Sequence, residues 1–481
     1  MARRSVAAMC IGPLALLLPA LAGCMIAEAP VPPQATVTPA AQWRTGGVGA
    51  AGGQAVSPAP ISPRWWRAYG DPVLSSLVEQ ALLNNNDIAI AAARVREAEA
   101  TERQARAQLF PTVNAGATAA HSRSLGVLGS PTVSSNAEPQ LQAAWQVDLF
   151  GRLADLRGAA RARYLASQAA RDAAALSVAA AIASGYITLR SLDARLDVAR
   201  ATLVARASAL RLARSRADAG YTSQLELSQA EAEYAATAQI VPQVERSIAS
   251  QENALSVLTG EPPHAIARGA RLDALTLPAI PAGFPSELLR RRPDILQAEL
   301  LLAASDRNLS SQRKGFLPNV QLTGTGGILF VEGLSDPVTL FSAGASVLAP
   351  IFEGGRIRAG ADAAAAQRDQ AAFSYRGTVL TAFQEVENAL AALDRLTGES
   401  AQVLARRDAL AQTLRHASNR YQAGYSDYLT QLDAQRGLLD AELALVQNRS
   451  DRLIASVTLY RALGGGWAGP EISGTQATDD R

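Results

Sequence analysis

Side chains that do chemistry are scarce in this chain. Its 481 residues include two cysteines and three histidines, and only 5% are aromatic. His121, His264 and His416 are scattered and make no metal-ligand spacing. Gly324-Thr325-Gly326-Gly327 superficially resembles a phosphate loop, but no lysine motif follows and the segment reads as a strand, where glycine relieves crowding. No nucleophile stands beside a base. A formal charge of +2 lacks the basic excess of a nucleic-acid binder. The chain therefore reads as a non-enzyme with no metal, no cofactor and no nucleic-acid partner. Proline is missing between Gly151 and Val241 and between Ile351 and Gly469, so both stretches are free to form unbroken helix.

Arg3 and Arg4, an apolar run from Val6 to Ala20 and small residues after it make residues 1–23 a signal peptide. The arginine pair fits a plain basic start or twin-arginine export. Leu21-Ala22-Gly23-Cys24 resembles the lipobox of bacterial lipoproteins. That resemblance implies cleavage before Cys24, diacylglycerol on its sulfur and an acyl group on its new amine. The alternative is an ordinary cleavage site beside an incidental cysteine. Cys10 leaves with the signal peptide, so the mature chain has no internal disulfide. Met25, in place of aspartate, points by the same resemblance to the outer membrane. Residues 24–63 carry seven prolines among small residues and read as a lipidated N-terminus and extended tether. Residues 468–481 read as a disordered tail.

The rest of the chain is duplicated. Asp87-Ile88 and Asp294-Ile295 each stand 23 residues before a proline, Pro111 and Pro318. Gly151-Arg152 and Gly355-Arg356 each lead, 69 residues on, to an Ala-Gly-Tyr, at Ala219-Gly220-Tyr221 and Ala423-Gly424-Tyr425. A period of roughly 205 residues is too long for a solenoid. Residues 64–275 form one repeat and 276–467 the other. Between each glycine pair a 3–4 alternation of leucine and alanine makes a coiled-coil seam, which in the first copy also contains Arg206. A helix from Arg152 to Asp218 is on the order of 100 Å long. Gly220 and Gly424 end these helices in the left-handed conformation, and Thr222 or Ser223, and Ser426 or Asp427, cap the returning ones.

Before each long helix the period changes to two. Leu141, Ala143, Trp145, Val147 and Leu149 alternate with polar residues, as do Phe341, Ala343, Ala345, Val347 and Ala349 with mostly small or polar ones. Their partners alternate more weakly, giving strands near 111–121, 139–149, 318–330 and 339–350. About ten residues span a membrane as a tilted strand, with lipid on one face and water on the other. A half-buried soluble sheet is the alternative. Lipid tolerates no open sheet edge, so four strands require other chains: two give eight strands, three give twelve and a water-filled lumen.

Trp145-Gln146-Val147-Asp148-Leu149-Phe150-Gly151-Arg152, Arg291-Arg292-Pro293-Asp294-Ile295, Asp433-Ala434-Gln435-Arg436 and Ala462-Leu463-Gly464-Gly465-Gly466-Trp467 resemble the TolC-like outer-membrane efflux proteins. The likeness covers about residues 64–467 and is closest to the lipoprotein (NodT-type) branch serving resistance-nodulation-division pumps. It implies a mainly α chain with transmembrane β: a homotrimer whose twelve-stranded outer-membrane barrel stands on a periplasmic helical tunnel. The implied function is a passive exit duct for drugs or other small toxic compounds, working with a periplasmic adaptor and an inner-membrane pump. A type I protein-secretion duct and a non-conducting structural lipoprotein are the alternatives. The tips Arg216, Gly220, Tyr221, Arg420, Gly424 and Tyr425 are expected to dock the adaptor, with the two arginines facing its acids. The matching Leu-Thr-x-Leu-Asp-Ala-Gln-Arg segment of the family lines the periplasmic constriction. It implies a gate of Leu429, Asp433 and Arg436, supplied by the second hairpin only because the first has Gln229 and Ala232 there.

Overall fold

The structure is a computed structural model that describes residues 32–38, 43–44, 56–57, 61–125, 129–281 and 285–467. Cys24, the signal peptide and the tail after 467 lie outside the described residues. The chain forms two compact units. One draws on residues 98–164 and 300–374, the other on 37–97, 165–299 and 375 onward.

The first unit holds an antiparallel sheet. Naming strands in chain order, β1 is a two-residue strand, Val56–Ser57, in the other unit. The sheet itself is β2 (Thr112–Leu125), β3 (Pro131–Val147), β5 (Asn319–Val331) and β6 (Val338–Leu348), in the order β2-β3-β5-β6. Register sorts the side chains by face. Val113 opposes Ala143, Ala143 opposes Gly324 and Gly324 opposes Ala343. Leu141, Gly326 and Phe341 form a second such row, and Val147, Val320 and Val347 a third. The alternate rows carry Gln142, Thr325 and Ser342, and Gln146, Gln321 and Ser346. One face is thus apolar and the other polar. Val113, Leu141, Phe341 and Val347 on the apolar face are all exposed in the single chain.

The first strand pair is longer than the alternation suggests. Pairing continues to Leu125 opposite Pro131, beyond the strand ends expected near 121 and 139. A membrane needs only about ten residues of strand, so beyond it the apolar alternation lapses while the ladder persists. Polar cross-strand bonds take over: His121 Nδ1 to Ser135 Oγ at 2.9 Å, and Ser124 Oγ to Thr132 Oγ1 at 3.3 Å. Of the strand glycines, only Gly327 is tightly placed. A Cβ there would come within 2.8 Å of the Pro139 carbonyl, whereas at Gly326 it would meet nothing within 4 Å.

Two matching helical hairpins follow the strands. Arg152–Asp218 and Arg356–Gln422 are 67 residues each, and Gln224–Leu258 and Tyr428–Ala462 are 35 residues each. Ser223 and Asp427 cap the returning helices, accepting from Glu226 N and Thr430 N. The helix Gln224–Leu258 passes through Pro242 without ending, one internal hydrogen bond short.

The second unit's core is built on aromatics, despite their scarcity. Trp65 stacks on Tyr460 with ring centres 5.6 Å apart, and Tyr69 and Tyr186 are fully buried. Each such side chain contributes on the order of 2–3 kcal/mol by leaving water. Asp71 organises the polar part of this core. It caps the helix Pro72–Asn84 through Val73 N and Leu74 N, and accepts from Tyr186 Oη at 2.8 Å and Ala270 N at 2.9 Å. Gly464, Gly465 and Gly466 all have positive φ, and a Cβ on Gly464 would lie 1.9 Å from the Arg291 carbonyl. Residues expected only to tether also pack here. Trp43 meets Phe383 edge-on at 6.1 Å, and β1 pairs in parallel with β4, Ile280–Pro281.

Candidate functional site

The tips of the two hairpins are built alike. Gly220 and Gly424 have φ of 74° and 80°, and the next residue's amide bonds back to the arginine carbonyl at 2.8 Å in both: Tyr221 to Arg216, Tyr425 to Arg420. Tyr221 is 84% and Tyr425 79% exposed, so each turn presents an aromatic ring to solvent. The two arginines differ. Arg216, half-buried, lies over the Tyr421 ring at 4.9 Å, while among the described residues Arg420 reaches only the Tyr425 carbonyl at 3.4 Å.

Behind the tips the hairpins are fastened to each other. Tyr421 and Tyr428 of the second hairpin pack with Ala213 and Ala230 of the first. The Tyr421 hydroxyl donates to Glu226 of the first hairpin, and burial together with that carboxylate pushes its pKa up to about 12. It therefore remains a neutral donor at physiological pH. Deeper in, Arg206 of the first hairpin has only 2% of its side chain exposed. It meets Glu233 at 3.3 Å and donates to Gln435 of the second hairpin at 2.5 Å. Burial draws the Arg206 guanidinium below its usual range, against the opposing effect of Glu233.

Leu429, Asp433 and Arg436 lie on one exposed face of the second hairpin's returning helix, as spacings of four and three require. Arg436 bonds chiefly to Glu233, with Nε to Oε1 at 2.8 Å, and approaches Asp433 only to 3.9 Å. The expectation that the charged cluster comes from one hairpin alone does not hold: Glu233 of the first hairpin is its central acid. Sequence reasoning missed Glu233. The available signal was Arg206, a cation in a seam of leucine and alanine, which demands a buried counter-charge. Among the described residues, no group of histidine, cysteine and acids has the geometry to hold a metal ion.

A sheet with one open apolar face and two unpaired edges, joined to helical hairpins of this length, defines a channel-forming outer-membrane protein. The chain belongs to the outer membrane efflux protein family, whose model matches residues 77–261 and 284–465. It is 35% identical over 462 residues to the probable efflux pump outer membrane protein TtgC of Pseudomonas putida, covering 93% of each chain. Its structure resembles the outer-membrane channel OprN with a TM-score of 0.82 at 30% identity, covering 92% of this chain and 99% of that one. The open-state MtrE outer membrane channel of Neisseria gonorrhoeae matches with a TM-score of 0.78 at 30% identity, over 90% and 98%. The protein is thus an efflux duct of the outer membrane and not an enzyme.

Proposed function

We propose that three copies of the chain form the exit duct of a tripartite efflux system. Each sheet brings one unpaired edge on β2 and another on β6, and three sheets close a twelve-stranded barrel with no edge left in lipid. The rows of exposed apolar residues on a single face carry this reading, because that face suits lipid and the polar face suits a water-filled lumen. The long hairpins form the periplasmic tunnel. Cys24 carries the lipid, and several acyl chains make that anchor effectively permanent.

The tips receive the periplasmic adaptor. Duplication gives six related docking points per trimer, with Tyr221, Tyr425 and the free end of Arg420 as the contacts. Leu429, Asp433 and Arg436 form the gate, held shut by Glu233 through the buried Arg206, which also reaches Gln435, and to a lesser degree through Arg436. Transport energy comes from the inner-membrane pump. Relatives 33–35% identical to this chain are named for antibiotic efflux, toluene efflux and pyoverdine export. Cargo that varied among such similar ducts implies that pump and adaptor choose it, and drugs or other small toxic compounds are the expected class here. Replacing Leu429, Asp433 and Arg436 together by alanine tests the gate. Raised single-channel conductance and entry of large antibiotics are expected; wild-type conductance would place closure elsewhere.

A further inference from the structure

The foot of the sheet holds a cavity of about 740 Å³. The ends of β3 and β6, the start of β5 and the first residues of the two 67-residue helices line it. Arg152 and Arg356 hold equivalent places in the repeat, each following its glycine, and both face this one cavity. Lys314, the only lysine in the chain, joins them.

Of the charged side chains lining the cavity three are cations and two, Asp148 and Glu353, are acids, and the cations differ in how they are paired. Arg356 is paired with Glu353 at 2.8 Å, and Lys314 with Asp155 at 2.6 Å. Asp148, the other acid at the rim, spends both oxygens on the helix start, accepting from Leu153 N at 3.1 Å and Ala154 N at 2.7 Å. Arg152 has no carboxylate partner among the described residues. Beside these cations stand apolar side chains that water does not favour: Ile351 is 92% and Phe352 89% exposed, and Leu348 and Phe150 are exposed as well.

We propose that this cavity seats the headgroup of an anionic glycerophospholipid from the periplasmic leaflet of the outer membrane. The phosphate sits on Arg152, flanked by Lys314 and Arg356, and the acyl chains lie along Ile351 and Phe352. Aromatic and aliphatic residues at one end of membrane strands mark the lipid–water boundary, and a basic pocket at that depth selects headgroups. A free phosphate ion would satisfy Arg152 but leave the apolar rim in water. A lipid satisfies both. Arg152, the cation with no carboxylate of its own among the described residues, favours a net negative headgroup over a zwitterionic one.

Native mass spectrometry of the full-length protein, titrated with phosphatidylglycerol or phosphatidylcholine, tests the proposal. Wild type is expected to retain phosphatidylglycerol preferentially. Arg152→Gln should weaken retention about fivefold, the effect of one cation at a membrane surface, and Arg152→Lys should restore most of it. Excess inorganic phosphate should not displace the lipid. Equal retention of both lipids, or unchanged retention by Arg152→Gln, would overturn the proposal, as would displacement by phosphate. Loss of oligomer mass in Arg152→Gln would overturn it too, by showing the foot to be an interface between copies. Lipid retention is read without conductance, so the channel reading stands or falls separately.

Discussion

Glu233 is where a single substitution reports most clearly on how the hairpins are held. Its carboxylate accepts from Arg436 and faces Arg206, whose side chain is only 2% exposed. Glu233→Gln keeps the shape and one acceptor oxygen but removes the charge. Stranding one partner of a buried ion pair costs about 3–5 kcal/mol; the retained oxygen puts the expected loss near the lower figure. Arg436 adds little, since half of its side chain is in water. A loss of about 3 kcal/mol shifts the fastened-to-unfastened ratio by more than ~100-fold per protomer. The assay is single-channel conductance in planar bilayers, with circular dichroism to confirm folding. Glu233→Gln should raise the open fraction and conductance. Arg214→Ala is the control: its ion pair with Glu231 lies on the same hairpin at 2.9 Å, but both side chains are about half exposed. Such a pair is worth at most about 1 kcal/mol and should leave conductance unchanged. A folded Glu233→Gln channel as closed as wild type, or an equal effect from Arg214→Ala, would refute the reasoning.

Asp155 predicts a pH dependence. Burial raises its pKa, but Lys314, Ser310 and Arg307 together outweigh that and leave it below the usual carboxylate value. The folded carboxyl thus binds its proton less readily than the unfolded one, so its stabilisation is complete above about pH 4 and is lost as pH falls through the folded value. Acid unfolding should show this loss in wild type, and Asp155→Asn should start less stable and lack it. Gly464→Ala and Gly220→Ala share a left-handed backbone but differ in room: the first Cβ strikes a carbonyl and the second meets nothing within 4 Å. Thermal melts should show a loss of about 1–2 kcal/mol for Gly220→Ala and a clearly larger one for Gly464→Ala. Cys24→Ser should abolish palmitate labelling while some protein, held by its barrel, still fractionates with the outer membrane; a mature N-terminus elsewhere with a free thiol would contradict the lipobox reading.

Much of the fold is legible in the sequence because its signals are periodic. Leu141 to Val147 alternate at two and the Leu189–Leu210 seam at three and four, and the repeat states each pattern twice. What is hidden is what depends on partners far along the chain. Trp43 reads as tether because nothing nearby shows that it packs on Phe383. Residues 121–138 read as lying outside the strands because the pairing of 121–125 with 131–135 rests on backbone hydrogen bonds, which carry no residue signature. At the proposed gate, Leu429, Asp433 and Arg436 stand out by spacing within one helix. Their link to Glu233 joins two hairpins 203 residues apart and follows no local rule.

If three chains make one water-filled duct, single channels recorded from purified protein of known mass will show it. A particle of three chains is expected, whose insertion gives discrete conductance steps, small at rest and enlarged when Leu429, Asp433 and Arg436 are replaced together. A particle of any other copy number, or a three-chain particle that passes no ions in either form, would contradict it.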